Sequence, residues 1–120
     1  MNIAQYTKAA SLEEAWELNQ KRSAVVLGGC CWLRLSPQRR IAQAIDLSAL
    51  GLDQIEEGED SFRLGAMVTL GQLEGHDGLA AFTQGAMKEA VRHIVGTQFR
   101  NMATVGGSIS GRFGFSDIWT

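Results

Sequence analysis

Two glycine pairs are the residues best equipped for chemistry in this chain. The first closes an apolar run, Val26-Leu27-Gly28-Gly29-Cys30-Cys31-Trp32-Leu33. Glycine opens backbone dihedrals closed to other residues and removes the side chain that would hold a ligand away from the amides. Successive N–H groups in such a turn form a nest for an anion, and a following helix would add its N-terminal dipole. A pyrophosphate could be held this way without any lysine. A plain tight turn accounts for the same residues. The segment matches neither GxGxxG nor GxxxxGK followed by Ser or Thr, which sets aside the dinucleotide fingerprint and the P-loop. The second pair lies in Arg100-Asn101-Met102-Ala103-Thr104-Val105-Gly106-Gly107-Ser108. Two nests, each after an apolar strand-like run, could meet around one extended phosphate ligand. Gly111, Gly114, Ser116 and Asp117 continue a small-residue stretch where backbone could again approach a ligand.

The remaining reactive side chains point to less. Cys30 and Cys31 are the only cysteines. Their spacing is not that of a zinc site, and adjacent cysteines rarely staple a fold, so a reducing compartment suits them. A thiol in an apolar loop is ordinarily inert. His76, in Gly75-His76-Asp77-Gly78, reads as a surface residue, and His93 as a satisfied structural one. Neither a metal site nor a Ser-His-Asp arrangement can be assembled, so no catalytic or metal-ligating residue is expected. Trp16 and Trp119 read as packing residues, and Trp32 stands apart because it follows the glycine loop directly.

These residues need elements to carry them. Residues 11–20 predict a helix, with Ser11 as cap and Glu14 three positions on. Leu12, Ala15 and Trp16 fall on one face, which is expected to be buried. Ala24 to Leu27 predicts a buried strand running into the first glycine turn, and Ile41 to Leu47 a second inner strand. Residues 53–60 hold Asp53, Glu56, Glu57, Glu59 and Asp60 around Gly58 and read as a solvated turn. Phe62, Leu64 and Ala66 alternate with smaller or polar residues, as in a strand with one covered face. Thr69 to Glu74 predicts a short helix capped by Thr69. Leu79 to Ile94 predicts the longest helix despite Gly85, and Ala103 to Ile109 a strand broken at Gly106-Gly107. The sum is a mixed α/β protein without an internal repeat.

Bulk properties bound the function. The 120 residues suffice for one domain, and the net charge of −2 makes no general electrostatic case for nucleic acid. The later half is slightly basic, which would suit a phosphate ligand: residues 61–120 carry five basic and four acidic side chains, against six and nine in residues 1–60. No apolar run reaches transmembrane length and the N-terminus lacks a secretory pattern, so no membrane role and a cytoplasmic location are expected.

The same glycine motifs carry a family likeness. The chain resembles the FAD-binding domain of the molybdopterin dehydrogenases, the medium subunit of bacterial xanthine and carbon monoxide dehydrogenases. The likeness starts at Tyr6 and Ser11-Leu12-Glu13-Glu14-Ala15 and passes through Leu27-Gly28-Gly29, Asp46-Leu47-Ser48 and Arg63-Leu64-Gly65-Ala66-Met67-Val68-Thr69-Leu70. It ends in Gln98-Phe99-Arg100-Asn101, Thr104-Val105-Gly106-Gly107-Ser108 and Ser116-Asp117. The resemblance implies a two-lobed FAD-binding fold of the vanillyl-alcohol-oxidase/PCMH type. Residues 1–55 would form a small parallel-sheet lobe, and residues 56–120 would begin a second, mixed or antiparallel lobe. The family domain runs well past Asp117, so the chain is expected to hold only its first part.

By the same resemblance, Leu27, Gly28, Gly29, Cys30, Cys31 and Trp32 wrap the FAD pyrophosphate through backbone amides. Thr104, Gly106, Gly107 and Ser108 approach the same cofactor, Asp117 hydrogen-bonds to it, and Arg100-Asn101 orients the second loop. The subunit would pass electrons from a 2Fe-2S small subunit, itself reduced by a molybdopterin-binding large subunit, through FAD to an acceptor such as NAD+. A homo-oligomer of the assembled complex is compatible with this. Two departures stand out: Cys30 and Cys31 replace a hydroxyl and a polar residue, and Ser108 replaces a common asparagine. A stand-alone flavin oxidoreductase and a degenerate, non-catalytic assembly module are the rival readings.

Overall fold

The computed structural model describes residues 1–37, 40–112, 114, 116 and 118, and its strands fall into two separate sheets. Strand β1 (Asn2–Lys8), helix α1 (Leu12–Asn19), strand β2 (Ala24–Leu27) and strand β3 (Arg40–Asp46) build the first. Its order is β1-β3-β2 and every pairing is parallel. Parallel neighbours need a crossover; α1 supplies one, and the glycine loop with a 3-10 turn at Leu33–Leu35 supplies the other. β3 has a partner on both sides, so Ile41, Ala44 and Ile45 are fully buried. β1 was not among the expected strands. It is an edge, and six of its seven residues are exposed, so no apolar alternation announces it.

Helix α1 starts where its cap predicts. Ser11 Oγ accepts the Glu14 amide at 3.1 Å, and the Glu14 carboxylate accepts the Ala10 amide at 2.9 Å. The expectation that Leu12, Ala15 and Trp16 share a buried face is corrected. Ala15 alone is buried, against Ala9 and Ile45, while Leu12 and Trp16 are 58% and 65% exposed. The stripe turned to the sheet runs through Ala15 and the partly buried Leu18, narrower than the apolar positions suggest.

The second lobe opens with an antiparallel hairpin, β4 (Ile55–Glu57) and β5 (Phe62–Leu64). The acidic stretch is therefore a turn only at its end: Ile55 to Glu57 are strand, and Glu56 faces Arg63 across the pair. Helices α2 (Leu70–Gly75), α3 (Asp77–Phe82), α4 (Ala86–Val91), α5 (Thr97–Arg100) and α6 (Val105–Ser110) follow. α2 begins with a complete capping box between Thr69 and Gln72. His76 is more than a surface residue: its Nδ1 accepts the Leu79 amide at 3.0 Å, capping α3, and its ring meets Phe62 edge-on. His93 is exposed beyond the end of α4, not packed as expected. The single helix expected over 79–94 is two helices, because Gln84 and Gly85 take left-handed φ values of 54° and 84° between them.

Val68, Leu70, Leu73, Leu79, Val91 and Ala103 form this lobe's core. Each larger aliphatic side chain there contributes about 1.5–3 kcal/mol through burial. Arg100 locks the helices together. Its Nε donates to Glu74 at 2.9 Å and its Nη1 to the Ile94 carbonyl at 3.0 Å, and it is 8% exposed. The last expected strand, Ala103 to Ile109, is overturned. Thr104 Oγ1 accepts the Gly107 amide at 3.1 Å and starts helix α6 instead, leaving one bridge, Thr69 to Thr104, as the sheet-like contact. Among the described residues, no helix is long and apolar enough to cross a membrane.

Candidate functional site

Parallel α/β sheets bind ligands in the crevice outside the carboxyl ends of their strands. β2 ends at Leu27, and the glycine loop leaves the sheet at that edge, beside Asp46 at the end of β3. Across from it stand Thr104 and the first turn of α6. Between them lies a cleft of about 440 Å³, within the range of small-molecule sites. Leu27, Gly28, Gly29, Cys30, Cys31 and Trp32 line one side; Thr104, Gly106, Gly107 and Ser108 line the other. The ten residues predicted from sequence are thus gathered round one cavity. Asp117 lies outside the described residues.

The two glycine loops touch. A methyl group on Gly28 would come within 2.9 Å of Thr104 Oγ1, and one on Gly29 would overlap the Met102 carbonyl. Their glycines are needed for this close approach. The dihedral freedom expected of them is not used: left-handed backbone in the loop belongs to Cys30, at φ 60°, and to neither glycine. Trp32 extends the contact, its ring edge-on to Phe99 at 5.9 Å and 73°.

The loops differ in what they leave free. The N–H groups of Gly29, Cys30 and Leu33 find no acceptor among the described residues. On the second loop every amide is taken. Val105 donates to the Val68 carbonyl at 2.9 Å, Gly106 to Ala66 at 2.8 Å, Gly107 to Thr104 Oγ1 and Ser108 to the Thr104 carbonyl. The expectation of two facing nests is corrected on the second side, which is a closed helix start, with the Ser108 hydroxyl left unengaged among the described residues.

Among the described residues, the lining carries no charged side chain. An anion held here would rely on amides, hydroxyls and exclusion of water. Two ionised groups act on the first loop, Asp46 on Cys30 and Arg34 on Cys31; the first is a carboxylate, Asp46. Its carboxyl is held below the usual range first by the Tyr6 hydroxyl and then by the Ser48 amide. Cys30 and Cys31 are both pushed up, chiefly by burial, so they remain thiols at neutral pH. Each thiol lies near the carbonyl two residues back, Cys30 Sγ to Gly28 at 3.5 Å and Cys31 Sγ to Gly29 at 3.7 Å.

Sequence reasoning missed Ala66 and Met67, which close the cleft from the β5–α2 connection. Ser36, Leu47 and Ser110 also line it. The available signal was Gly65-Ala66-Met67, small residues ahead of a capped helix. Arg100 stays away from the cleft, tying α5 to α2 behind the second loop.

A small parallel-sheet lobe joined across a cleft to a mixed, antiparallel one is a partial two-lobed FAD-binding fold. The chain belongs to the family described as the FAD binding domain in molybdopterin dehydrogenase, which it matches over residues 2–120. It is 35% identical over 111 residues to the nicotine 6-hydroxylase medium subunit of Paenarthrobacter nicotinovorans, covering 88% of this chain and 38% of that protein. It is 33% identical over 113 residues to the Escherichia coli K12 protein YgfM, covering 92% of this chain and 42% of that one. Among solved structures it is similar to a Cu,Mo-CO dehydrogenase in its cyanide-inactivated form. That likeness has a TM-score of 0.81 at 27% identity, over 91% of this chain and 40% of that one. The chain therefore spans about 40% of the length of the relatives it matches.

Proposed function

We propose that this chain carries the pyrophosphate-binding part of an FAD site in a molybdenum hydroxylase. The observation that carries the reading is the first loop: three amides without an acceptor among the described residues, at residues lining a cleft, on the carboxyl edge of a parallel sheet. An anion is the ligand that can satisfy several open N–H groups of one loop at once. The fit is good on chemistry, since the described lining offers amides and hydroxyls to a diphosphate. Leu27, Gly28, Gly29, Cys30, Cys31 and Trp32 would hold the pyrophosphate. Thr104, Gly106, Gly107 and Ser108 would form the opposing wall, with a direct contact from the Ser108 hydroxyl, and Asp117 would add a hydrogen bond. The lobe boundary would fall near residue 55.

Bound FAD supplies the redox chemistry; the protein binds, orients and shields it. The whole protein would take electrons from an iron–sulfur partner associated with a molybdopterin-binding subunit and deliver them to an acceptor such as NAD+, in the cytoplasm. The medium-subunit relative and the carbon monoxide dehydrogenase likeness support that assignment. A second reading, a degenerate assembly module, is favoured by one observation: Cys30 and Cys31 offer thiols where a hydroxyl would serve a phosphate better.

The test is to purify the full-length protein, record its visible absorption and quantify the flavin released on denaturation. Stoichiometric FAD is expected. A folded, colourless protein that takes up no added FAD would overturn the proposal and leave the assembly module.

A further inference from the structure

Cys30 and Cys31 are used by the proposed cofactor loop only through their backbone, so their thiols are left over. They are the chain's sole cysteines, adjacent, both half-buried and both lining the cleft. Cys30 is held in left-handed backbone, both side chains approach carbonyls of their own loop, and the Cys31 thiol also nears the Phe99 carbonyl at 3.9 Å. We infer that this pair is a dithiol modification site, which closes to a disulfide with a peroxide oxidant when no dinucleotide occupies the cleft. The last clause rests on the function proposed above; the dithiol chemistry itself does not.

The reaction balances with hydrogen peroxide. One thiol, as thiolate, attacks a peroxide oxygen and becomes a sulfenic acid, releasing water or hydroxide. The neighbouring thiol attacks the sulfenic sulfur, the S–S bond forms, and a second water leaves. Two electrons pass from the sulfur pair to the peroxide.

Geometry makes the product labile. Consecutive Cα atoms lie about 3.8 Å apart across a trans peptide, short of the roughly 4.4–6.8 Å ordinary disulfides span. The ring is therefore strained and readily reduced, which suits a reversible mark and not a structural staple. Ring closure must also draw both thiols off the carbonyls they now approach, which shifts the backbone of the loop. The Cys30 amide is one of the open donors proposed for the anion, so a loop reshaped by the ring should hold an anion less well. A ligand seated on those amides in turn holds the loop in the reduced shape. Burial raises both thiols, so closure is slow at neutral pH and quickens as the pH rises.

The full-length protein, with and without saturating FAD, is treated with hydrogen peroxide and followed by intact and peptide mass spectrometry. The expected product is a 27–33 loop peptide lighter by two hydrogen atoms, restored by dithiothreitol. Cys30→Ser and Cys31→Ser should each abolish it, leaving stepwise oxygen addition on the remaining thiol. FAD should slow closure at least about tenfold, the factor expected when most loops are ligand-held. Stepwise oxygen addition in the unsubstituted protein, intermolecular dimers or inert thiols would overturn the inference. A disulfide that forms at the same rate in protein shown by absorption to hold FAD would overturn the coupling to the cleft. Disulfide formation in a protein that takes up no FAD even when fully reduced would overturn the function proposed above and leave the dithiol site standing.

Discussion

Gly28-Gly29 and Gly106-Gly107 are the same dipeptide after a similar apolar approach, yet they do opposite things. The first pair follows β2 off the edge of the parallel sheet, with Cys30 taking the left-handed turn, and the N–H groups at Gly29 and Cys30 stay unpaired among the described residues. The second follows Thr104, whose hydroxyl caps Gly107, and is wound at once into α6. Its amides are consumed by Ala66, Val68 and Thr104. A glycine pair is thus not itself a nest. What precedes it decides: a strand end leaves the donors open, and a capping threonine closes them. The pairs do share a packing role, since each presents a bare Cα surface to the other or to a neighbouring carbonyl.

That contrast is best broken by adding one methyl group to each loop. Gly29→Ala places a Cβ on the Met102 carbonyl, backbone that cannot give way. The loop should spring from the second lobe at a cost of about 3 kcal/mol, and FAD retention should fall with it. Gly107→Ala meets only Thr104 Oγ1, at 2.9 Å. It also gains up to about 1 kcal/mol of helix propensity, so its net effect should stay within about 1 kcal/mol and the cofactor should remain. Urea unfolding and flavin content of the two variants decide the matter, and equal losses would sink the distinction.

A subtler change converts the second loop toward the first. Thr104→Val keeps shape but removes the hydroxyl that accepts the Gly107 amide. Loss of a helix cap costs about 1 kcal/mol, visible as a lower urea midpoint. Amide exchange should report the rest: the Gly107 N–H becomes less protected while Val105 and Gly106, bonded to Val68 and Ala66, keep their protection. Unchanged exchange at Gly107 would show that the cap is not what closes this loop.

Much of the molecule was legible in the chain itself, and the failures have common physical causes. Ser11 and Thr69 announced their helices because a cap is a local event, settled within four residues. β3 was legible because a central parallel strand is apolar on both faces. β1 was not, since an edge strand draws its order from its partner's register. Thr104 carried the same capping signal as Thr69, but the apolar Ala103-Thr104-Val105 run masked it and suggested a strand. The ten cleft residues came from motif and resemblance; their mutual contact, Gly29 on Met102 and Gly28 on Thr104, depends on tertiary packing that no spacing encodes. Ala66 and Met67 were missed for that reason as well.

The smallest expected effect concerns the electrostatic difference between the loops. Among the described residues, the first loop has an ionised carboxylate beside it, Asp46, whose charge disfavours both a Cys30 thiolate and an incoming phosphate. The Tyr6 hydroxyl and the Ser48 amide donate to that carboxylate and spread its charge. The Tyr6 bond lowers the Asp46 carboxyl and raises the Tyr6 hydroxyl, two signs of one interaction. For Asp46 the contribution to stability is complete above the unfolded value of about 3.9 and is lost as the pH falls through the depressed folded value. For Tyr6 it is complete below about 10 and lost as the pH rises through the elevated folded value. The bond is therefore intact across the neutral range. Tyr6→Phe should return the Asp46 carboxyl toward its ordinary range, followed by NMR titration of its side-chain carbon, without shifting the urea midpoint measurably at this exposed site. With one donor gone, the bare carboxylate should weaken FAD binding slightly at pH 7, and less so at high salt, where screening shortens its reach. Salt-independent weakening would mean that Tyr6 acts on the cleft through packing, and the electrostatic contrast between the two loops would have to be withdrawn.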